Sequence, residues 1–365
     1  MSPLLLSVAV LTQTAQPVRA EPAVETPARE PSDRKLLIEW GWDEPDTRFL
    51  RDHIDQMERL PFDGVVFHIT SSRGGNFTWN MWGGRRFEHV EFQHSIRNLQ
   101  ATQATQLTEW FLRVNVTPGD VDWFDDDRWL DVLANMDVAA NGAKRSGCRG
   151  FMFDVEQYQG QLWDWSRQPP RDFDEYRKQV RKRGAFWMRA VNARFPDITV
   201  LLTFAYDYSR RPNPEDPSTS PYGLLADFLD GMLGVATDET VIVDAWESSY
   251  GYREQSQFRK AYDTTKRTAL DWTSEPQAYA QRMRTGFGLW MDYDWYKNGW
   301  NESDLEQNYF SPEEFENSLR HALRASDRYV WVYTEHPRWW TAEKLPDEYV
   351  DAVRSARQSY WRDDN

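Results

Sequence analysis

Cysteine is almost absent. Among 365 residues only Cys148 carries a thiol, so no internal disulfide and no cysteine-based metal site can form, and packed filler is the expected role of that side chain. Histidine is scarce as well: the six residues include no pair at the His-x-x-x-His spacing of helical metal ligands. No long block of one charge and no internal repeat occurs, which argues against acidic or basic tails and against solenoids. The 58 acidic and 43 basic residues leave a formal net charge of −15, so nucleic acid and anionic membranes are poor partners. The one notable apolar run near the start, Pro3 to Leu11, is too short to span a bilayer. With Val18-Arg19-Ala20 behind it, that run reads as a signal peptide over residues 1–20, followed by a Pro/Glu/Ala-rich linker over 21–34. Export to the periplasm or the extracellular space is therefore expected, with no transmembrane segment in the mature chain.

What is plentiful is aromatic. Trp 19, Tyr 16 and Phe 19 make up 15% of the chain, and a 40% hydrophobic content supplies a sizeable core. From Lys35 onward, short β-branched or aromatic runs alternate with helical patterns, the signature of βα units on a parallel sheet. Strands are expected at Leu36 to Trp42, Gly64 to Ile69, Glu109 to Thr117, Gly150 to Glu156, Thr199 to Asp207, Val241 to Glu247, Gly286 to Asp294 and Tyr329 to Glu335. Helices are expected at Asp46 to Arg59, about Phe92 to Ala104, Asp127 to Ser146, Asp172 to Phe195, Gly223 to Leu233, Pro276 to Met283, Pro312 to Ala325 and Asp347 to Tyr360. Eight such pairs define an α/β protein, a single-domain (β/α)₈ TIM barrel over residues 35–362 with extended βα loops, and reactive groups then belong at the carboxyl ends of the strands.

Gly150 to Glu156 reads Gly-Phe-Met-Phe-Asp-Val-Glu. Side chains alternate along a strand, so Phe151, Phe153 and Val155 share one face, while Met152, Asp154 and Glu156 share the other. Two acids at the end of a buried strand repel and are desolvated, which points to an acid and its partner. Alternation places Glu39, His68, Arg113, Asn115, Asp154, Glu156, Asp207, Asp244, Asp292, Asp294, Trp331, Tyr333 and Glu335 on inward faces. Asp154 and Glu156 are the expected catalytic residues. Glu247, Asp292, Asp294 and Glu335 are candidates for a second catalytic or substrate-orienting group. Glu39, His68, Arg113, Asn115, Asp207, Asp244, Trp331 and Tyr333 are expected to bind substrate. Among loop tryptophans after strands, Trp79, Trp82, Trp163, Trp295 and Trp339 suit sugar faces, as do Trp165, Trp300 and Trp340, with lid packing as the role of about half. Trp187 and Trp361 fall in helix-like segments and belong to the core or shell.

An acidic rim lined with tryptophan suits glycoside hydrolysis, in which one carboxyl protonates the leaving oxygen and a second group attacks or stabilises the sugar carbon. The seven residues Gly150 to Glu156 resemble the strand-four Asp-x-Glu motif of chitinase-type glycosidases and of barrel lysozymes, with Arg149 and Met152 where the chitinase motif has further aspartates. That resemblance implies Glu156 as general acid and Asp154 as the residue that orients substrate or shares its proton. Residues two apart on a strand are separated by about 6.6 Å, from a rise of about 3.3 Å per residue, which lies between the spacings of retaining and inverting pairs. The negative field favours a neutral or amino-sugar oligo- or polysaccharide, unless Arg85, Arg86 or Arg113 shapes the cleft locally. The reading calls for no cofactor and no metal. The alternatives are a divalent-metal-dependent sugar-processing barrel using acids and His68, and a barrel that binds carbohydrate without turnover.

Overall fold

The computed structural model describes residues 34–360. The signal-peptide and linker expectations over residues 1–33, and the role expected of Trp361, lie outside them. Among the described residues nine strands form one all-parallel sheet: β1 Leu36–Glu39, β2 Gly64–Phe67, β3 Glu109–Asn115, β4 Gly150–Asp154, β5 Thr199–Leu202, β6 Val241–Asp244, β7 Met283–Thr285, β8 Phe287–Trp290 and β9 Tyr329–Tyr333. Ten helices among the described residues surround it: α1 Thr47–Met57, α2 Gln93–Ala101, α3 Asp126–Arg145, α4 Phe173–Asn192, α5 Tyr206–Ser209, α6 Leu225–Leu233, α7 Gln255–Lys266, α8 Pro276–Arg282, α9 Pro312–Ala325 and α10 Asp347–Ser359.

The nine strands make eight staves of a (β/α)₈ barrel. β7 pairs with β6 through Val243 and Arg284, and β8 pairs with β9 through Leu289 and Val332. One stave thus hands its pairing from the sixth stave to the eighth at Gly286, whose N–H bonds the Asp244 carbonyl at 2.8 Å. A Cβ there would lie 2.7 Å from the Tyr329 carbonyl oxygen, so only glycine passes between the two neighbours. The seventh stave therefore begins earlier than expected and ends at Trp290, short of Asp294. The fifth also ends early, at Leu202, because Tyr206–Ser209 coils into a helical turn that carries Asp207 out of the sheet.

Helix ends follow local chemistry. Asp46 caps α1 by accepting from Phe49 N at 2.7 Å, and Ser311 forms a reciprocal capping box with Glu314 ahead of Pro312 at the start of α9. The sequence gives little sign of α7, since Phe258, Ala261 and Thr265 are its only buried positions, and its Glu254 cap replaces the usual Ser, Thr or Asp.

Leu36, Ile38, Trp40, Val66, Phe111, Met152, Leu201, Val243 and Trp331 fill the ring. Leu37, Val65, Leu112, Phe153, Leu202 and Val330 face the helices. Arg113, Asn115, Asp154, Trp331 and Tyr333 keep the parity expected of them. Glu39 and Asp244 do not: each shares the outer face of its strand, with Leu37 and Ile242, and is buried behind the barrel wall. In β1 and β6 both faces are apolar for most of their length, so alternation alone left the side undecided.

Candidate active site

At the carboxyl ends of the strands a cavity of about 860 Å³ opens. Two acids stand in its wall on different staves: Glu156, two residues beyond β4, and Glu247, three beyond β6. Glu44, His68 and Arg113 line it from the first three staves, Glu335 and Tyr333 from the eighth, and Trp40, Trp42, Trp79, Trp290 and Trp295 supply aromatic surface.

A strained turn holds Glu247. Trp246 has a left-handed backbone with φ 38°, a conformation costing a non-glycine residue on the order of 1–3 kcal/mol. Its N–H bonds Asp244 Oδ1 at 3.2 Å, the Glu247 N–H bonds the Thr203 carbonyl at 2.9 Å, and Ser249 Oγ donates within bonding reach of both Trp246 O and Gly288 O, at 2.6 and 2.8 Å. Asp244 thus works from behind the wall.

Burial, and then the charge of Asp154, push the Glu156 carboxyl up to about 7. Burial also lifts Glu247 well above the carboxylate range, with Glu156 and Asp154 adding repulsion. One Glu247 oxygen is buried with no partner among the protein groups. Both acids are therefore set to carry protons at higher pH than ordinary glutamates.

Asp154 is different. It is fully buried, and Arg113 Nη2 donates to its Oδ2 at 2.8 Å, the Tyr158 hydroxyl at 3.0 Å, and the Glu156 N–H to its Oδ1 at 3.2 Å. Arg113 also bonds Glu44 at 3.3 Å, and Glu44 in turn meets His68 Nδ1 at 3.1 Å and accepts from Trp40 Nε1 at 2.9 Å. Burial works against the charge on Arg113, but Glu44 and Asp154 outweigh it, and the guanidinium contacts the rings of Trp40 and Trp79, 5.1 and 5.0 Å from their centroids. Burial raises the Glu44 carboxyl and Arg113 and His68 outweigh it, leaving its pKa lowered. Among the described residues no three of His, Cys, Asp and Glu gather as a metal-holding group; where Glu44 and His68 meet, the third member is already a cation.

Of the residues expected from sequence, Glu156, Glu247, Glu335, His68, Arg113, Trp79, Trp295 and Tyr333 meet around the cavity. Asp154 and Asn115 sit directly behind it, paired across β3 and β4. Glu39, Asp207, Asp244, Asp292 and Asp294 do not line it. Asp207 pairs with Arg211, and Asp294 accepts from Gly299 N at 3.1 Å. Trp82, Trp163, Trp331, Trp339 and Trp340 are fully buried and serve packing. The half-buried Trp165 and Trp300 tie loops through bonds to the Arg171 and Lys344 carbonyls at 3.0 and 2.9 Å.

Trp40, Trp42, Glu44, Asn76, Tyr158, Tyr250 and Trp290 escaped the sequence reading. Part of their signal was present: Leu36, Ile38, Trp40, Trp42 and Glu44 form one alternating stripe, opposite to that of Glu39.

No family model matches the chain, and no curated protein resembles it in sequence. Solved structures do resemble it. A GH5-4 broad specificity endoglucanase from Bacteroides salanitronis superposes with a TM-score of 0.50 at 10% identity, over 90% of this chain and 93% of that one. PbGH5A, a glycoside hydrolase family 5 enzyme from Prevotella bryantii B14, gives 0.51 at 11% identity, over 89% and 96%. At such identity the likeness establishes the class of fold, the (β/α)₈ barrel. These are not chitinase-type enzymes, so the resemblance of the Asp154–Glu156 segment to that motif rests on its seven residues alone.

Proposed function

We propose that the protein is a glycoside hydrolase acting on a neutral or amino-sugar oligo- or polysaccharide, with Glu156 as general acid and Glu247 as the second carboxyl group. The observation that carries this reading is the pairing of two half-buried glutamates, each held above the ordinary carboxylate range, in one aromatic-walled cavity at the carboxyl end of the barrel strands. Glu156 keeps a proton near neutral pH and donates it to the leaving oxygen. Glu247, two staves further along the same cavity wall, serves the sugar carbon or its attacking water once ionised. Burial, with the Arg113-paired carboxyl of Asp154 adding repulsion, keeps the proton on Glu156. Stacking of sugar rings on Trp42, Trp79 and Trp295 supplies binding energy.

The test is incubation of the wild-type protein, Glu156→Gln and Glu247→Gln with a panel of β-glucan, mannan and chitin oligosaccharides, read by mass spectrometry. Products from the wild type alone, with binding retained in both variants, support the reading. Binding without products in all three would instead make the barrel a carbohydrate-binding protein, and activity lost only on chelation would make it metal-dependent. Export remains a proposal of the same kind: a mature N-terminus beginning at Glu21 would support it, and an intact Met1 on exported protein would oppose it.

A further inference from the structure

Asp292 lies two residues beyond β8, where the sequence suggested a second catalytic or substrate-orienting acid. It accepts from Trp290 Nε1 at 3.0 Å, from Glu335 N at 3.1 Å and from His336 N at 2.8 Å, and it meets His336 Nδ1 at 3.0 Å. Its carboxylate is fully enclosed. The indole and the two main-chain groups can only donate, so the Asp292 oxygens act as acceptors toward all three of them.

The position of this hub matters. The ladder between the seventh and eighth staves ends at Trp290 opposite Tyr333, with a last bond from Met291 N to Tyr333 O at 2.9 Å. Past that point Asp292 takes over the joining of the staves, and the residues it fixes are those of the cavity wall. Trp290 and Glu335 line the cavity. The Glu335 carboxylate accepts from the Tyr333 hydroxyl at 3.1 Å, which accepts from Trp42 Nε1 at 2.7 Å.

We propose that Asp292 is a positioning residue of the substrate cleft, fixing Glu335 and Trp290 so that Glu335 contacts the bound sugar. The proposal rests on the reading of the cavity as a glycosidase cleft. Asn keeps the shape of Asp, yet it offers a single acceptor oxygen and turns an N–H₂ toward groups that themselves donate, so Asp292→Asn undoes the hub without removing volume.

The experiment has two arms. In hydrogen-exchange mass spectrometry, a peptide spanning residues 333–338 is protected in the wild type and in His336→Asn, which leaves both main-chain bonds in place. It exchanges at least about tenfold faster in Asp292→Asn. In kinetics on an oligosaccharide that the wild type cleaves, Asp292→Asn and Glu335→Gln each raise KM about tenfold while kcat changes less than about threefold, and the double variant is no worse than either alone. Equal exchange in wild type and Asp292→Asn, an unchanged KM in Glu335→Gln, or additive effects in the double variant would each overturn the proposal. If Asp292→Asn does not fold, Glu335→Gln and the wild-type protection still decide it. If no oligosaccharide is cleaved or bound by the wild type, the functional reading fails and the proposal falls with it, whereas normal turnover with an unprotected 333–338 peptide sinks the positioning role alone.

Discussion

Arg113 donates to Asp154 at 2.8 Å, and this bond makes the two acids of the Asp-x-Glu pair unlike each other. Asp154 has a cation and a tyrosine hydroxyl to satisfy it, whereas Glu156 faces the cavity with its neighbour's charge beside it. Two carboxyl groups two residues apart are thereby divided into one bonded to a guanidinium beneath the cavity and a proton carrier at its surface.

Activity is expected to fall on the alkaline side. With Glu156 pushed up to about 7, kcat/KM declines about tenfold per pH unit above that point as the general acid loses its proton. A profile flat to pH 9 would remove Glu156 from that role.

Stability should move with pH in the same window. Glu156 has its folded-state pKa raised from 4.5 to about 7, so between these values the folded state binds more protons than the unfolded one. Its contribution is therefore fully present below about pH 4.5 and is lost as pH rises through 7, and Glu247 acts in the same direction. Denaturant titrations at pH 5 and 7.5 should show a smaller drop in Glu156→Gln than in the wild type.

Arg113→Met leaves Asp154 and Glu44 buried without their cation. Breaking such a pair costs about 3–5 kcal/mol, which calorimetry would register as a large fall in Tm, and Glu156→Gln, which removes a repelling acid, should not share it.

Tryptophans of the rim and of the core should separate cleanly. Trp42 and Trp295 are 64% and 69% exposed, so replacing either with Ala is expected to raise KM while Tm holds. Trp82 and Trp163 have no exposure, and truncating either should cost about 3–5 kcal/mol of stability.

Much of this was legible in the sequence where one residue type has one physical meaning. A βα alternation with apolar strands can close in few ways, and Glu156 at the end of the fourth strand must face the mouth because Phe151, Phe153 and Val155 commit the other side to the helices. Glu39 and Asp244 were misplaced because their strands are apolar on both faces, and one step of parity moves every side chain across the wall. The tryptophans divided as loops usually do, with Trp79 and Trp295 at the cavity and Trp82, Trp163 and Trp339 in the core.

By itself the sequence determined the staves, their order and the end at which the acids gather, because periodicity and strand polarity are local properties that survive without knowledge of neighbours. Which acids are partnered, which are left protonated and which merely brace the wall was decided by tertiary structure. Glu247 beside Glu156, Arg113 against Asp154 and Asp292 under Glu335 are interactions between different staves, by residues some forty or more positions apart in the chain, and the charge a carboxyl carries depends on what stands within a few ångströms of it.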